Sequence, residues 1–188
     1  MNGLRSPRDE SQNQTELDRF NALKAHSAGL SFNSSPRLSR MAVNENIVGK
    51  DYPPLAPYLV GREKIREFAT AVMSTNPVNT DVEAAKDAGF SDVVAPPTFP
   101  VIVQERAMHV LLDDPESGID YSRIVHGDQR FDYTRPIVAG DELHTTVVVT
   151  KVQSLGGHTM VTSESRIHDA DGDHIVTATS TLVVRGDS

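Results

Sequence analysis

The second half of the chain carries four stretches rich in Val, Ile and Thr, at 124–133, 142–152, 158–168 and 174–184. Short connections built on Leu155-Gly156-Gly157 and Asp171-Gly172-Asp173 separate the last three. Glycines at such positions accept the positive φ that tight hairpin turns need. Three successive strands of a meander are therefore expected, preceded by a fourth strand. The first half is patterned for helices. Ile65, Phe68, Ala69 and Val72 recur at helical spacing and predict one buried stripe over 62–73. Gly61 is an acceptable N-cap. Pro77 closes this region because it has no N–H and restricts Asn76. A short helix is expected over 81–88, closed by Gly89. The longest helix is expected over 98–112, where Phe99, Ile102, Val103, Ala107, Val110 and Leu111 form a wide apolar face. Pro96 and Pro97 precede it, Thr98 offers a cap, and Asp113-Asp114-Pro115 ends it. Helices followed by antiparallel strands make the fold class α+β.

Composition narrows the chemistry. The body from Met41 onward has the size of one domain, and 38% of the chain is hydrophobic, enough for one core. There is no cysteine, which excludes disulfides, a Cys-based metal site and a thiol nucleophile. No run of about 18 apolar residues exists, so no membrane span is expected. No apolar signal region opens the chain, and a cytoplasmic protein is the expectation. Residues 1–40 hold six Lys/Arg against four Asp/Glu; the remainder holds twelve against twenty-two, within a net charge of −8. An acidic domain without a basic stripe argues against nucleic acid as a partner. Residues 1–40 are polar and Ser/Asn-rich and are expected to be a disordered extension. Leu17, Phe20 and Leu23 could form one helical turn within it. A start codon set upstream of the true one, with the domain beginning near Met41, is the plain alternative.

Ser74-Thr75-Asn76-Pro77-Val78-Asn79 resembles the catalytic loop of the MaoC-like (R-specific) enoyl-thioester hydratases. In active members that loop reads Asp-x-Asn-Pro-aliphatic-His. Ile47-Val48-Gly49, Arg62 to Glu67, Val94 to Phe99, Val125-His126-Gly127-Asp128-Gln129 and Arg135 to Asp141 are similar to HadA-type non-catalytic subunits of (3R)-hydroxyacyl-ACP dehydratases. The likeness runs from about Met41 to Arg185. Val-His-Gly-(Asp/Glu)-Gln is also similar to the non-catalytic half of two-domain MaoC-type hydratases. The resemblance implies a single hot-dog domain over 41–188, a long helix wrapped by a curved antiparallel sheet. It also implies a dimer whose partner is a catalytic MaoC-like hot-dog subunit, an acyl-ACP or acyl-CoA substrate, and no cofactor.

On that alignment Ser74 stands where active members carry Asp, and Asn79 where they carry His. Proton transfer needs a group whose pKa can approach the working pH; a Ser hydroxyl and an Asn amide do not offer this unaided. Pro97 aligns with a Gly whose N–H polarises the thioester carbonyl in active members. Proline has no N–H, and Pro96 would give the same answer. No residue is therefore expected to be catalytic. His126 and Asp128 are the alternative pair: two apart on a strand, they would share a face, and a His beside a carboxylate can act as a base. His126 is expected rather to be hydrogen-bonded at the subunit seam. His168, Asp169, Asp171, Asp173 and His174 resemble half a calcium loop but lack its Gly and distal Glu, so a solvated hairpin tip is expected and no metal. Phe99, Val101, Ile102 and Val103 on the central helix, with Asn76 beside the degenerate pair, are the expected substrate contacts.

The reading is an acyl-chain-binding, non-catalytic subunit of a (3R)-3-hydroxyacyl-thioester dehydratase. It would serve fatty-acid or mycolic-type elongation. The alternatives are a stand-alone homodimeric acyl-thioester-binding protein, or an active hydratase using His126 and Asp128.

Overall fold

The computed structural model describes residues 43–50 and 52–186. The extension expected over 1–40, with its helical turn, lies outside the described residues. Helix α1 runs Arg62–Ala71, α2 Val82–Asp87 and α3 Val101–Leu112. Strand β1 is Tyr58–Leu59, β2 Ile124–Tyr133, β3 Glu142–Leu155, β4 His158–His168 and β5 His174–Val184. They form one curled five-stranded sheet in the order β1-β3-β4-β5-β2. Every neighbouring pair is antiparallel. The meander β3-β4-β5 is as expected, and Gly156 and Gly157 (φ +59° and +80°) and Gly172 (φ +89°) make its turns. This is the α+β hot-dog arrangement, with α3 laid against the sheet.

Periodicity explains how α3 is held. Phe99 and Val103 enter a core with Ile65, Val93, Ile137, Ile167 and Val176. One to two turns further, Ala107 and Leu111 enter a second cluster with Ile47, Val147, Val149 and Val161. On β5 the residues facing the helix alternate as Val176, Ala178, Ser180, Leu182 and Val184, all buried. Ser163 and Ser165 on β4 lie opposite Ser180 and Ala178 and are buried too. Small side chains at the centre of the sheet let the helix approach closely. Phe99 is fully buried and meets Phe68 edge-to-face at 5.4 Å. Burying a side chain of this size contributes about 1.5–3 kcal/mol.

Three boundaries differ from the sequence reading. Helix α1 stops at Ala71, not residue 73, because Met73 turns into the left-handed region (φ +55°). The stripe loses its last member with it: Ile65 and Ala69 are buried, but Val72 is 41% exposed. Helix α3 starts at Val101 rather than Thr98. Pro100 disfavours helical geometry at Phe99, so 97–100 form turns instead, and Phe99 N–H donates to Pro96 O. Strand β3 runs three residues past its expected end, to Leu155, because β4 continues the ladder to the Gly-Gly turn. Helix α2 is as expected, with the Asp81 side chain accepting from the N–H groups of Glu83 and Ala84.

The segment before β1 is tied down by charge. The Lys50 ammonium donates to Asp114 and Glu116, and Tyr52 OH donates to the same Asp114 carboxylate at 3.0 Å. Lys50 holds the Asp114 carboxyl below the usual carboxylate range, with Tyr52 adding to the effect. Burial and Asp114 together push Tyr52 up to about 12.

Candidate functional site

The loop from Ser74 to Asn79 is built as a socket. Pro77–Asn79 form a single 3-10 turn capped by the Asn76 side chain, which accepts from Val78 N–H at 3.2 Å. Val94 N–H donates to Val78 O, and Ala95 N–H to Ile137 O on the far wall. The turn thereby brings Asn79 against Ser74: Ser74 Oγ donates to Asn79 Oδ1 at 2.7 Å. Asn79 Nδ2 donates to Val94 O at 2.6 Å, and Asn79 is buried. The two positions thus meet, as an acid–base pair there would. In this chain they satisfy one another. Beside them opens a cleft of about 540 Å³, walled by Phe90, Val94, Pro97, Tyr133 and Pro136 among others. Asn76 lines this cleft.

The titratable side chains lining this first cleft are Tyr133 and Arg135. Tyr133 OH donates to Pro97 O at 2.8 Å, and burial raises its pKa further above the usual phenol range. Arg135 makes two hydrogen bonds to the Asp141 carboxylate and one to Asp169. Neither can exchange a proton near neutral pH. The backbone offers no oxyanion donor in Pro96 or Pro97. The N–H groups of Val94, Ala95 and Phe99 are engaged with Val78, Ile137 and Pro96.

The second candidate pair is split by the sheet. Between His126 and Asp128 the ladder with β5 slips: His126 pairs with Leu182, but Asp128 pairs with Thr181. Adjacent partners on β5 point to opposite faces, so this β-bulge sends His126 toward α3 and Asp128 away from it. The shared face expected from spacing alone is therefore corrected. Gly127 occupies the bulge, and a Cβ there would lie 3.1 Å from Thr181 O and from Val183 Cγ2. His126 Nε2 lies 3.3 Å from Gln129 Oε1, while Gln129 Nε2 donates to Thr179 O at 3.0 Å. Gln129 Oε1 can only accept, so a hydrogen bond between the two has His126 Nε2 as its donor.

His126 and Gln129 line a second cleft, of about 310 Å³, between α3 and the β2–β5 ladder, with Val101 and Met108 on its helix side. The expected substrate contacts divide accordingly. Val101, 38% exposed, faces this cleft. Phe99 and Val103 lie in the core, and half-buried Ile102 packs against it.

A family profile described as FAS1-like, dehydratase domain region matches residues 46–178. The chain belongs to this dehydratase-region family. It is 65% identical over 145 residues to a UPF0336 protein of Leifsonia xyli, spanning 77% of this chain and 97% of that one. A UPF0336 protein of Streptomyces avermitilis is 52% identical over 145 residues, with the same coverage of both chains, 77% and 97%. Among solved structures, a chain of the HadBC (3R-hydroxyacyl-ACP dehydratase) complex from Mycobacterium tuberculosis is 32% identical with a TM-score of 0.68. That match covers 73% of this chain and 96% of that one. A MaoC-like dehydratase is 36% identical with a TM-score of 0.69; 74% of this chain matches 42% of its length. The (R)-hydratase from A. caviae, 18% identical with a TM-score of 0.57, shares the fold.

The first cleft is a shaped cavity whose Ser74–Asn79 pair holds no group able to accept or release a proton near neutral pH. Two of its features were not singled out from sequence: Tyr133, which reaches across to Pro97, and the triple anchoring of Arg135. The Asp169–Asp173 tip is held by backbone instead: Asp169 Oδ1 accepts from the N–H groups of Asp171 and Asp173.

Proposed function

We propose that this chain is the acyl-chain-binding, non-catalytic subunit of a (3R)-3-hydroxyacyl-thioester dehydratase, working in the cytoplasm beside a catalytic MaoC-like hot-dog subunit. The observation that carries this reading is the closed Ser74–Asn79 hydrogen bond at the position of the acid–base pair. The prolines at the oxyanion position and the split of His126 from Asp128 support it independently. The HadBC structure is a complex, which supports a second hot-dog chain as partner. β2 is an edge of the sheet, and unpaired edges invite pairing. Val101 and Val125 leave apolar surface beside that edge, at 38% and 49% exposure. The partner supplies the Asp and His; this chain supplies apolar wall for the acyl tail along the Val101 side of α3. The substrate is a 3-hydroxyacyl thioester on ACP or coenzyme A, dehydrated to the trans-2-enoyl thioester in fatty-acid or mycolic-type elongation.

Co-expression with a neighbouring short MaoC-like gene product tests this. The expected result is a stable heterodimer with enoyl-thioester hydratase activity that neither chain shows alone. Within that complex Val101→Asp should depress turnover of long acyl substrates more than short ones, because an unpaired carboxylate in the tail's path is costly. A stable, soluble monomer at micromolar concentration, indifferent to the partner, would overturn the reading.

A further inference from the structure

Strand β2 carries charges of alternating sign along the edge of the sheet. It is the last strand in the order β1-β3-β4-β5-β2, so among the described residues one side of its backbone has no strand beside it. Asp128, Arg130 and Asp132 are exposed on it and stand opposite Thr181, Thr179 and Thr177 of β5. Those threonines alternate with buried Ser180 and Ala178, which places the three charges on the outer face of the sheet. Arg130 Nε lies 2.8 Å from Asp132 Oδ2, an exposed pair of the kind that contributes little to stability and can exchange partners. The bulge at Gly127 bounds this segment: the ladder with β5 is regular from Asp128 to Tyr133 and slips between His126 and Asp128.

We infer that this edge selects a strand of another chain whose outer-face residues alternate basic, acidic, basic, and that Arg130, set between two aspartates, decides the choice. The inference rests on the heterodimer reading and adds to it the chemistry by which the partner is recognised. Opposite charges directly across a strand pair attract and like charges repel, so such a strand satisfies all three positions at once. Asp-x-Arg-x-Asp is symmetric about Arg130, so it does this whichever way the strand runs. Two antiparallel copies of this chain fit less well. Centred on Arg130, they place Arg130 on Arg130 and Asp128 on Asp132. Centred on Phe131, they pair Arg130 with Asp132 but carry Asp128 past the strand end, to Thr134. Centred on Gln129, they pair Arg130 with Asp128 but bring Phe131 against the bulge at Gly127. The charges thus deter indiscriminate pairing along an exposed edge and admit one pattern.

Charge reversal in the complex co-expressed with the neighbouring MaoC-like gene product tests this, with the dissociation constant read by sedimentation. Arg130→Glu sets three acids in a row on the edge and should weaken the complex about tenfold, while Arg130→Lys should keep the parental affinity. Reversing the acidic residue that the partner places opposite position 130 should restore binding to Arg130→Glu. Arg166→Glu makes the same reversal on the outer face of β4, with β5 between it and the edge, and should change the affinity little. Each of these side chains is exposed, so thermal midpoints should stay at the parental value. Amide hydrogen exchange over 128–133 should slow when the complex forms. A complex indifferent to Arg130→Glu, or weakened equally by Arg166→Glu, overturns the selection while the heterodimer reading stands. If the chain alone is a dimer that Arg130→Glu splits, the edge serves a second copy, and the choice of a different chain is overturned. If no complex forms, the heterodimer reading and this inference fall together.

Discussion

The two clefts share strand β2 and differ in how their polar groups are settled. Tyr133, at the end of β2, lines the first; His126 and Gln129, near its start, line the second. In the first, Ser74, Asn79, Tyr133 and Arg135 all have partners. In the second, Ser180 has none. A network that closes on itself rigidifies a wall but has no proton or donor to give a ligand. An unpaired group holds interaction free energy in reserve until something arrives. The first cleft is thus chemically quiet, and the one unspent buried side-chain polar group among the described residues lies in the second.

The largest effect is expected in the core, at the turn that leads into α3. Phe99→Ala should destabilise the domain by about 3–5 kcal/mol, as for a fully buried aromatic. Chemical denaturation measures it. A loss below 1 kcal/mol coupled to weakened acyl binding would return Phe99 to the tunnel wall.

Next come the two polar deletions, which should differ in sign. Asn79→Leu strands Ser74 and Val94 O and should cost about 1–3 kcal/mol. Ser180→Ala removes a group with nothing to lose and should leave stability unchanged or slightly higher. Equal losses in paired denaturation curves would show that Ser180 is satisfied after all, and the contrast between clefts would disappear.

A smaller effect belongs to the anchor outside both clefts. The Asp114 carboxyl is depressed by Lys50. A depressed carboxylate contributes stability that is present above its unfolded value of about 3.9 and lost as pH falls through the folded value. Asp114→Asn should therefore lower the thermal midpoint at pH 7 and flatten its decline under acid. A variant with an acid limb as steep as the parent's would assign that limb to other carboxylates, with Asp92, paired to Arg62, the first to test.

The fold was legible where the local signal and the tertiary demand agree. The Gly156-Gly157 and Gly172 turns fix the meander because their φ values leave few alternatives. Boundaries were less legible where one residue overrides a periodic pattern. Met73 ends α1 one residue before its apolar stripe does, and Pro100 delays α3. The degenerate pair was readable as an absence of titratable groups. Its mutual hydrogen bond was not, because that depends on the turn at Pro77 and on Val94 arriving from elsewhere. His126 and Asp128 misled, since a two-residue spacing implies one face only on an unbroken strand, and Gly127 was the hint of a break. Ser180 had a signal too. Strict alternation along β5 puts it inside with Ala178 and Leu182, but only the sheet order shows that the neighbouring β2 groups are already engaged.

The central claim is that the family's catalytic position is chemically silent in this chain. Hydration of crotonyl-CoA by the full chain alone, at high protein concentration, tests it most directly. The account predicts no turnover above buffer, and none lost on His126→Ala. Robust turnover by the purified chain, abolished by His126→Ala, would contradict it and place the chemistry on the second cleft.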